Sequence, residues 1–142
     1  MKIVVASGFF DPIHKGHIEY LKKAKLLGDY LIVLVNSNFA AQRKKGYYFM
    51  DLDERMEIVR SLAFVDEVLP AKDDDGTVAT SLAEIRPNIF AKGGDRVLDN
   101  LPNQEIDVCN KYDIEIVTGL GRKIQSSTSL VSNYRKNIKE NK

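Results

Sequence analysis

The sequence predicts an α/β fold in which a parallel sheet is covered by helices on both faces. Apolar runs of strand length alternate along the chain with segments of helical periodicity. The run from Leu31 to Val35 is uninterrupted, as is typical of a strand buried on both of its faces. Right-handed crossovers between such strands place a ligand crevice at their carboxyl ends. The alternation therefore predicts a Rossmann-like, doubly wound parallel sheet of about five strands.

The first predicted elements are a strand, a helix and a second strand. Ile3 to Ala6 is a short apolar strand. Gly16 to Leu27 has apolar residues at helical spacing, and Gly28 ends this helix. Tyr30 to Asn36 is the second strand, and we predict no element in the polar stretch that follows it.

The later elements continue the alternation. A helix is predicted from Asp51 to about Ala63, because acidic residues stand at its positive end. The remaining elements, in order, are a strand from Val65 to Leu69, a turn from Asp73 to Gly76, a helix from Thr77 to Ile85, a strand from Ile89 to Lys92, a helix from Pro102 to Tyr112, a strand from Ile114 to Val117 and a helix from Ser126 to about Ile138.

Length and composition predict a single domain, 1–142, with 136–142 as a basic, frayed tail. Of the 142 residues, 44% are hydrophobic and 29% are charged, as in ordinary soluble proteins. No run approaches the ~18 to 20 apolar residues of a membrane-spanning helix, and the apolar start is too short for a signal peptide. We therefore expect a cytoplasmic protein with no membrane partner. The net charge of +1 argues against a nucleic-acid partner, and the single cysteine, Cys109, argues against a disulfide.

The most informative segment is Gly8 to His17, which joins the first strand to the first predicted helix. His14 and His17 stand three residues apart, so their side chains lie on one helix face, and their charge can be adjusted near neutral pH. Unpaired N–H groups of the first turn and the positive end of the helix dipole favour an anion at the same place. Gly16 lets phosphates approach. The segment therefore predicts a polyphosphate-binding site.

Several segments resemble the cytidylyltransferase-like nucleotidyltransferase superfamily, whose signature is H-x-G-H. They are Gly8 to His17, Leu27 to Val33 with Val35 to Ser37, Arg43 to Gly46, Glu54 to Met56 with Val65 and Asp66, and Lys92 to Asp95. The chain is most similar to heptose-1-phosphate adenylyltransferases and next to glycerol-3-phosphate cytidylyltransferases. A further segment, Arg122 to Ser129, resembles the cytidylyltransferase motif Arg-Thr-Glu-Gly-Ile-Ser-Thr but departs from it at Thr-Glu-Gly.

This resemblance implies transfer of a nucleoside monophosphate from a nucleoside triphosphate to a sugar or polyol phosphate, with release of pyrophosphate. Lys92 to Asp95 favours ATP as the donor, whereas Arg122 ahead of Ser127 and Thr128 is the arrangement of relatives that use CTP. The resemblance also implies Mg²⁺ or another divalent ion with the triphosphate, and a homodimer; we predict no metal ligand from the protein. A catalytically silent nucleotide-binding or sensing module is the alternative. A relationship to tRNA synthetases is disfavoured by the balanced charge.

Phosphoryl chemistry leaves little bonding work to the protein, so we expect donors that hold the reactants and neutralise charge, and no nucleophile. The resemblance assigns catalysis to His14, His17, Lys45 and Arg122. It assigns nucleotide binding to Gly8, Phe9, Phe10, Lys15, Gly16, Lys92, Gly93, Gly94, Asp95, Ser127, Thr128 and Ser129. It assigns acceptor binding to Asp11, Lys44, Arg55 and Lys72. Acceptor selectivity is expected from the loops Asn38 to Ala41 and Asp73 to Thr77.

Plainer roles stay open for some of these residues. Asp11 either fixes its loop by accepting main-chain hydrogen bonds or approaches the acceptor or the ion. Arg55 either pairs with Glu54 on the surface or contacts the acceptor phosphate. Lys72 is either an exposed lysine or reaches the acceptor. The glycines at 93–94 either leave room for a base or ribose or form a tight turn.

Overall fold

The computed structural model describes residues 1–93 and 101–120. Its strands are β1 (Ile3–Gly8), β2 (Tyr30–Val35), β3 (Glu67–Pro70), β4 (Ile89–Gly93) and β5 (Glu115–Leu120). Its helices are α1 (Lys15–Lys25), α2 (Asn38–Lys45), α3 (Leu52–Arg60), α4 (Ala79–Ile85) and α5 (Asn103–Lys111).

The sheet has the strand order β3-β2-β1-β4-β5, and all neighbouring strands are parallel. The central pairing of β1 with β4 sets Val4 beside Ile89 and Ala6 beside Ala91. Chain order reverses between these two strands, and ligands of doubly wound sheets bind at the carboxyl ends of the strands beside such a reversal. The site is therefore expected beyond Gly8, at the end of β1.

Helices cover both faces of the sheet, as predicted. On one face, Leu21 of α1 and Val59 of α3 belong to one buried cluster. On the other, Leu82 of α4 and Cys109 of α5 pack with Phe90 of β4. Burial raises the pKa of the Cys109 thiol to about 11, with a further contribution from nearby Glu105. The α/β, doubly wound fold is confirmed, and Cys109 is a core residue.

Helix α2 lies where the sequence predicts no element. Its first turn is capped by Ser37, whose Oγ accepts a hydrogen bond of 3.0 Å from the N–H of Ala40. Gly46 ends it in the left-handed conformation, at φ 86°. Ala40 and Ala41 are its buried residues, so it has no long apolar stripe for the sequence to show. The bounds of the other described elements differ slightly from those predicted.

The predicted last helix and the predicted tail lie outside the described residues, and the assignment of 1–142 to one domain stays a prediction. No helix within 1–93 and 101–120 has the length and apolar character needed to cross a membrane. The cytoplasmic location also stays a prediction.

Candidate active site

The two histidines begin α1 and cap it reciprocally. Nδ1 of His14, the N-cap residue, accepts a hydrogen bond of 3.1 Å from the N–H of Gly16. Nδ1 of His17 accepts one of 3.1 Å from the N–H of His14. The two rings lie 3.9 Å apart between centroids. Because both Nδ1 atoms are acceptors, each neutral ring carries its hydrogen on Nε2, where it can be donated to a ligand.

These bonds change how the helix start can bind an anion. The N–H groups of Gly16 and His17 are both used within the first turn, by the ring of His14 and by the carbonyl oxygen of His14 respectively. The predicted anion contact by unpaired main-chain donors therefore does not hold at these two residues. The imidazoles offer Nε2–H donors in their place, and Lys15, the first residue of α1, is exposed beside them.

His17 is neutral at pH 7. The buried ring of Phe10 meets it edge-on, with 5.1 Å between the centroids. Burial lowers the pKa of His17 to about 4, and the adjacent His14 adds to the shift. Without a bound anion, His17 therefore offers a neutral Nε2–H donor, and the adjustment of its charge by a bound anion stays a prediction.

The turn between β1 and α1 is shaped by Phe10. A Cβ atom on Gly8 would lie 2.9 Å from Cζ of Phe10, so a glycine is needed below this ring. The positive φ of the turn falls on Phe10, at 51°, and Gly8 has none. Because the Phe10 ring belongs to the core, only its main chain can face a nucleotide. At Gly16, a Cβ would lie 3.0 Å from Cε1 of His14, so this glycine makes room for the imidazole.

Asp11 fixes the histidine loop, which is residues 9–14 between β1 and α1, to the segment after α2. Its carboxylate accepts hydrogen bonds from the N–H groups of Phe49, at 2.8 Å, and Met50, at 2.9 Å. Nζ of Lys45 lies 3.3 Å from Oδ2 of the same carboxylate. Burial alone would raise the pKa of Asp11, but these hydrogen bonds and the Lys45 ammonium lower it below its usual value. Of the two predicted roles of Asp11, the structure favours the fixing of the loop.

Arg55 is the buried centre of this region. Its side chain is 0% exposed, and its guanidinium donates hydrogen bonds of 2.7 to 2.9 Å to oxygen atoms of several loops. The acceptors are Phe9 O, Asn36 O, Met50 O and Asn38 Oδ1. Neither a surface ion pair with Glu54 nor an acceptor contact fits this position, so both predictions for Arg55 are corrected. It joins the chain segments that follow β1, β2 and α2.

Lys44 and Lys45 end α2 beside the histidine loop. Their Nζ atoms lie 5.3 and 5.8 Å from the ring centroid of Phe9, which belongs to that loop. Nζ of Lys45 also lies 5.4 Å from the ring centroid of Tyr47. At the end of a helix these cations complement the helix dipole. The structure thus brings both lysines to the loop that leads to the histidines.

Lys92 is buried near the end of β4. Its Nζ lies 3.5 Å from Oγ of Ser7 and 3.9 Å from Oε1 of Glu105. Glu105, which is 2% exposed, escaped the sequence reasoning; its Oε2 accepts a 3.0 Å hydrogen bond from the N–H of Val78. The sequence does contain an indication that Glu105 is buried. It stands four positions before Cys109 and therefore lies on the apolar face of an amphipathic helix.

Gly93 is explained by close packing. A Cβ atom here would lie 2.6 Å from Cδ1 of Tyr20 and 2.9 Å from the carbonyl oxygen of Leu120. The hydroxyl of Tyr20 donates a 2.7 Å hydrogen bond to the carbonyl oxygen of Ala91, which holds the ring against β4. The predicted room for a base is therefore not found at Gly93.

Lys72 is an exposed lysine. Its side chain is 59% exposed, and its Nζ forms a 3.0 Å ion pair with Oε1 of Glu84 on α4. Together they line a small cavity of about 100 Å³ with apolar neighbours such as Leu34 and Ile85. The predicted acceptor contact of Lys72 is corrected to this surface ion pair.

Other predicted site residues lie outside the described residues, and their assignments stay predictions. They are Gly94, Asp95, Arg122, Ser127, Thr128 and Ser129. The placement of Ser127 and Thr128 opposite the histidines belongs to this group.

Comparisons with known proteins identify the family of the chain. The sequence model of the family described as cytidylyltransferase-like matches residues 5–134. The chain is 36% identical over 136 residues to the bifunctional protein HldE of Actinobacillus pleuropneumoniae serotype 5b (strain L20), a match covering 89% of this chain and 28% of that protein. It is 40% identical over 102 residues to HldE of Shewanella baltica (strain OS155 / ATCC BAA-1091), covering 70% and 21%. The chain thus spans between 21% and 28% of these curated relatives.

One solved structure is similar to this chain over most of the length of both proteins. The crystal structure of the lipopolysaccharide core biosynthesis protein from Thermoplasma volcanium GSS1 has a TM-score of 0.69 and 30% identity, and the match covers 84% of this chain and 94% of that one. As its H-x-G-H segment predicts, the chain belongs to the cytidylyltransferase-like family.

Proposed function

We propose that this chain is an enzyme, a nucleotidyltransferase that transfers a nucleoside monophosphate from a nucleoside triphosphate to a sugar phosphate and releases pyrophosphate. ATP is the favoured donor and CTP the alternative, on the resemblance of Lys92 to Asp95 and of Arg122 to Ser129 to the respective relatives. The observation that carries the proposal is the reciprocal capping of His14 and His17, which leaves two Nε2–H donors at the carboxyl end of β1.

In the proposed reaction, an oxygen of the acceptor phosphate attacks the α-phosphorus of the triphosphate. The bond from that phosphorus to the α–β bridging oxygen breaks, and the bridging oxygen leaves with the electron pair as part of pyrophosphate. The attacking phosphate is already an anion, so the step needs no general base. It needs donors for the charge that builds on the α-phosphate and the leaving group.

The described residues supply such groups on two sides of the histidine loop. Nε2–H of His14 and of His17 donates to the triphosphate from the start of α1. The ammonium groups of Lys44 and Lys45 neutralise phosphate charge from the end of α2. Asp11 and Arg55 act through the main chain, because they fix the loop in which Phe9 lies.

Mg²⁺ is proposed to arrive with the triphosphate and to be held by phosphate oxygens, whose charge it would partly neutralise. The acidic residue of the histidine loop, Asp11, fits poorly as a ligand. Both of its oxygens already accept hydrogen bonds from Phe49 and Met50, and Lys45 lies beside one of them.

The test is a pyrophosphate-release assay with each of the four common nucleoside triphosphates, Mg²⁺ and a panel of acceptors: heptose 1-phosphate, hexose 1-phosphates and glycerol 3-phosphate. We expect release only with a phosphorylated acceptor. Mass spectrometry should show a product in which the nucleoside monophosphate is joined to the acceptor through its phosphate, that is, a nucleoside diphosphate-linked sugar or polyol. Nucleotide binding in a thermal-shift assay without any release would favour the silent module. If the protein neither binds a nucleoside triphosphate nor releases pyrophosphate, the proposal is refuted. The homodimer is a separate proposal, which a monomer in light scattering would contradict.

A further inference from the structure

A carboxylate and an ammonium group lie inside the protein near the carboxyl end of β4. Lys92 is the last residue but one of β4, and Glu105 lies in the first turn of α5. Nζ of Lys92 is 3.9 Å from Oε1 of Glu105, and both residues are buried. Charges are costly to remove from water, and a buried ion pair often adds less stability than apolar residues in its place. Stability alone is therefore a poor explanation for this pair.

Lys92 lies where the strand order of the sheet reverses. Ala6 of β1 is aligned with Ala91 of β4, so Ser7 and Lys92 follow side by side at the carboxyl ends of these strands. The 3.5 Å contact between Nζ of Lys92 and Oγ of Ser7 agrees with this alignment. Ligands of doubly wound sheets bind beside such a reversal. The ammonium group therefore lies at the edge of the sheet where the triphosphate is proposed to bind.

The two charged side chains differ in their access to solvent. The side chain of Lys92 is 11% exposed, whereas that of Glu105 is 2% exposed. Nζ of Lys92 also lies 5.1 Å from the ring centroid of Phe90, which belongs to the core. A ligand that approaches the end of β4 thus meets the ammonium group, and the carboxylate lies behind it.

Glu105 is fixed through one carboxylate oxygen and faces Lys92 with the other. Oε2 accepts a 3.0 Å hydrogen bond from the N–H of Val78, the N-cap residue of α4. Oε1 is shielded from solvent, and it accepts no hydrogen bond from a residue within 1–93 and 101–120. Its distance of 3.9 Å from Nζ of Lys92 is longer than the about 2.7–2.9 Å of a charge-assisted hydrogen bond. Glu105 therefore acts on Lys92 by its charge.

A negative charge behind a buried ammonium group has two effects. It offsets the cost of keeping the cation away from water, and it holds the cation near one position. A buried lysine that lacks such a partner turns toward solvent or loses its proton more readily. In either case, the cation would be lost to a phosphate bound at this position.

We propose that Glu105 is a positioning residue of the triphosphate site and that it acts through Lys92. Its charge keeps the Lys92 side chain protonated and in place at the carboxyl ends of β1 and β4, where the ammonium group contacts a phosphate of the nucleotide. The inference rests on the proposed function. It extends the site to α5, a helix on the opposite face of the sheet from the helix that the histidines begin.

Glu105→Gln tests the proposal, because the amide oxygen can still accept the hydrogen bond from Val78 while the charge is removed. Isothermal titration calorimetry with ATP and with CTP, in the presence of Mg²⁺, measures the Kd of the triphosphate. We expect the variant to raise this Kd about tenfold or more, since an interaction with a charged group is weakened. The KM for the acceptor should not change. The matched control is Glu84→Gln, which removes the carboxylate of the exposed ion pair with Lys72 and should change neither value.

Lys92→Met shows whether Glu105 acts through Lys92. This variant should also weaken triphosphate binding, and the addition of Glu105→Gln should weaken it no further. A full further loss in the Lys92→Met background would overturn the proposal. If Lys92→Met does not fold, Glu105→Asp takes its place in the test. The shorter side chain keeps the charge and should recover most of the affinity that Glu105→Gln loses, and no recovery would overturn the proposal.

The outcomes separate this inference from the proposed function. Native triphosphate affinity in Glu105→Gln, together with pyrophosphate release by the native protein, overturns the inference alone. So does an equal rise in the Kd of the triphosphate and the KM for the acceptor, which indicates a general change of the fold. Triphosphate binding without release overturns the proposed function alone, because the titrations still test Glu105. If the native protein binds no triphosphate, both proposals are overturned.

Discussion

Arg55 on α3 donates a 2.8 Å hydrogen bond to the carbonyl oxygen of Phe9, in the loop that leads to the histidines. The same guanidinium binds the carbonyl oxygens of Asn36, after β2, and Met50, after α2. One buried side chain thus sets the relative positions of the loops from which the proposed phosphate donors extend. Changes at Arg55 should act on the site through these loops.

Arg55→Met is expected to lower the free energy of unfolding by about 3–5 kcal/mol, because oxygen atoms inside the protein lose their donors. Arg60→Met, on the exposed face of the same helix, should change it by no more than about 0.5 kcal/mol. Urea unfolding followed by circular dichroism measures both. Equal small effects of the two substitutions would contradict the central role of Arg55.

His17 should make the protein less stable in acid. Its pKa is about 4 when folded, against 6.5 for an ordinary histidine, so the unfolded chain binds more protons between these values. The contribution of neutral His17 to the free energy of unfolding is complete above pH 6.5 and is lost as the pH falls toward 4. NMR titration of the His17 Hε1 resonance should give a midpoint near 4. In His17→Asn, the fall in unfolding free energy over this range should be smaller, and a midpoint near 6.5 would contradict the prediction.

The roles of the two ring nitrogens of His17 can be distinguished by a matched pair of substitutions. His17→Asn keeps an acceptor near the position of Nδ1 and loses the outer donor, whereas His17→Gln keeps a donor near Nε2 and loses the cap. We expect His17→Asn to unfold close to the native temperature with kcat reduced about 10²–10³-fold. His17→Gln should be less stable and more active than His17→Asn. Equal kcat values would show that Nε2–H is not the active group.

Gly93→Ala should destabilise the protein by about 1–3 kcal/mol, because the new methyl group overlaps the ring of Tyr20. In a Tyr20→Leu background, the same substitution should cost less, since the ring that it meets is gone. Thermal or urea unfolding of the two single variants and the double variant gives the interaction energy. Strict additivity would show that the ring is not what excludes a side chain at position 93.

The fold could be predicted from the sequence where burial leaves a pattern. Leu31 to Val35 reads as a central strand because both of its faces are covered. Helix α2 could not be predicted by periodicity, since its buried residues are Ala40 and Ala41. Its evidence is local: Ser37 at the start and Gly46 after the end are the residues that cap helices.

The sequence indicates which residues lie near the end of β1 but not how their side chains are arranged. The position of His14 and His17 follows from their spacing at a strand-to-helix junction, but the direction of their hydrogen bonds depends on ring orientations that a sequence does not show. Arg55 beside Glu54 has the pattern of a surface ion pair, and its burial results from contacts among three loops distant along the chain. Likewise, the need for a glycine at position 93 results from packing against Tyr20, which is far away in the sequence.

The capping of α1 by its own histidines has a consequence for how the active centre could be lost. Nδ1 of each imidazole accepts a hydrogen bond from the main chain, which leaves Nε2–H of the neutral ring as a donor. If the first turn of α1 unfolds, both capping hydrogen bonds are lost, and the orientation of both Nε2–H groups is lost with them. We therefore expect a substitution that destabilises this turn to lower the order of residues 14–17 and the proposed activity together.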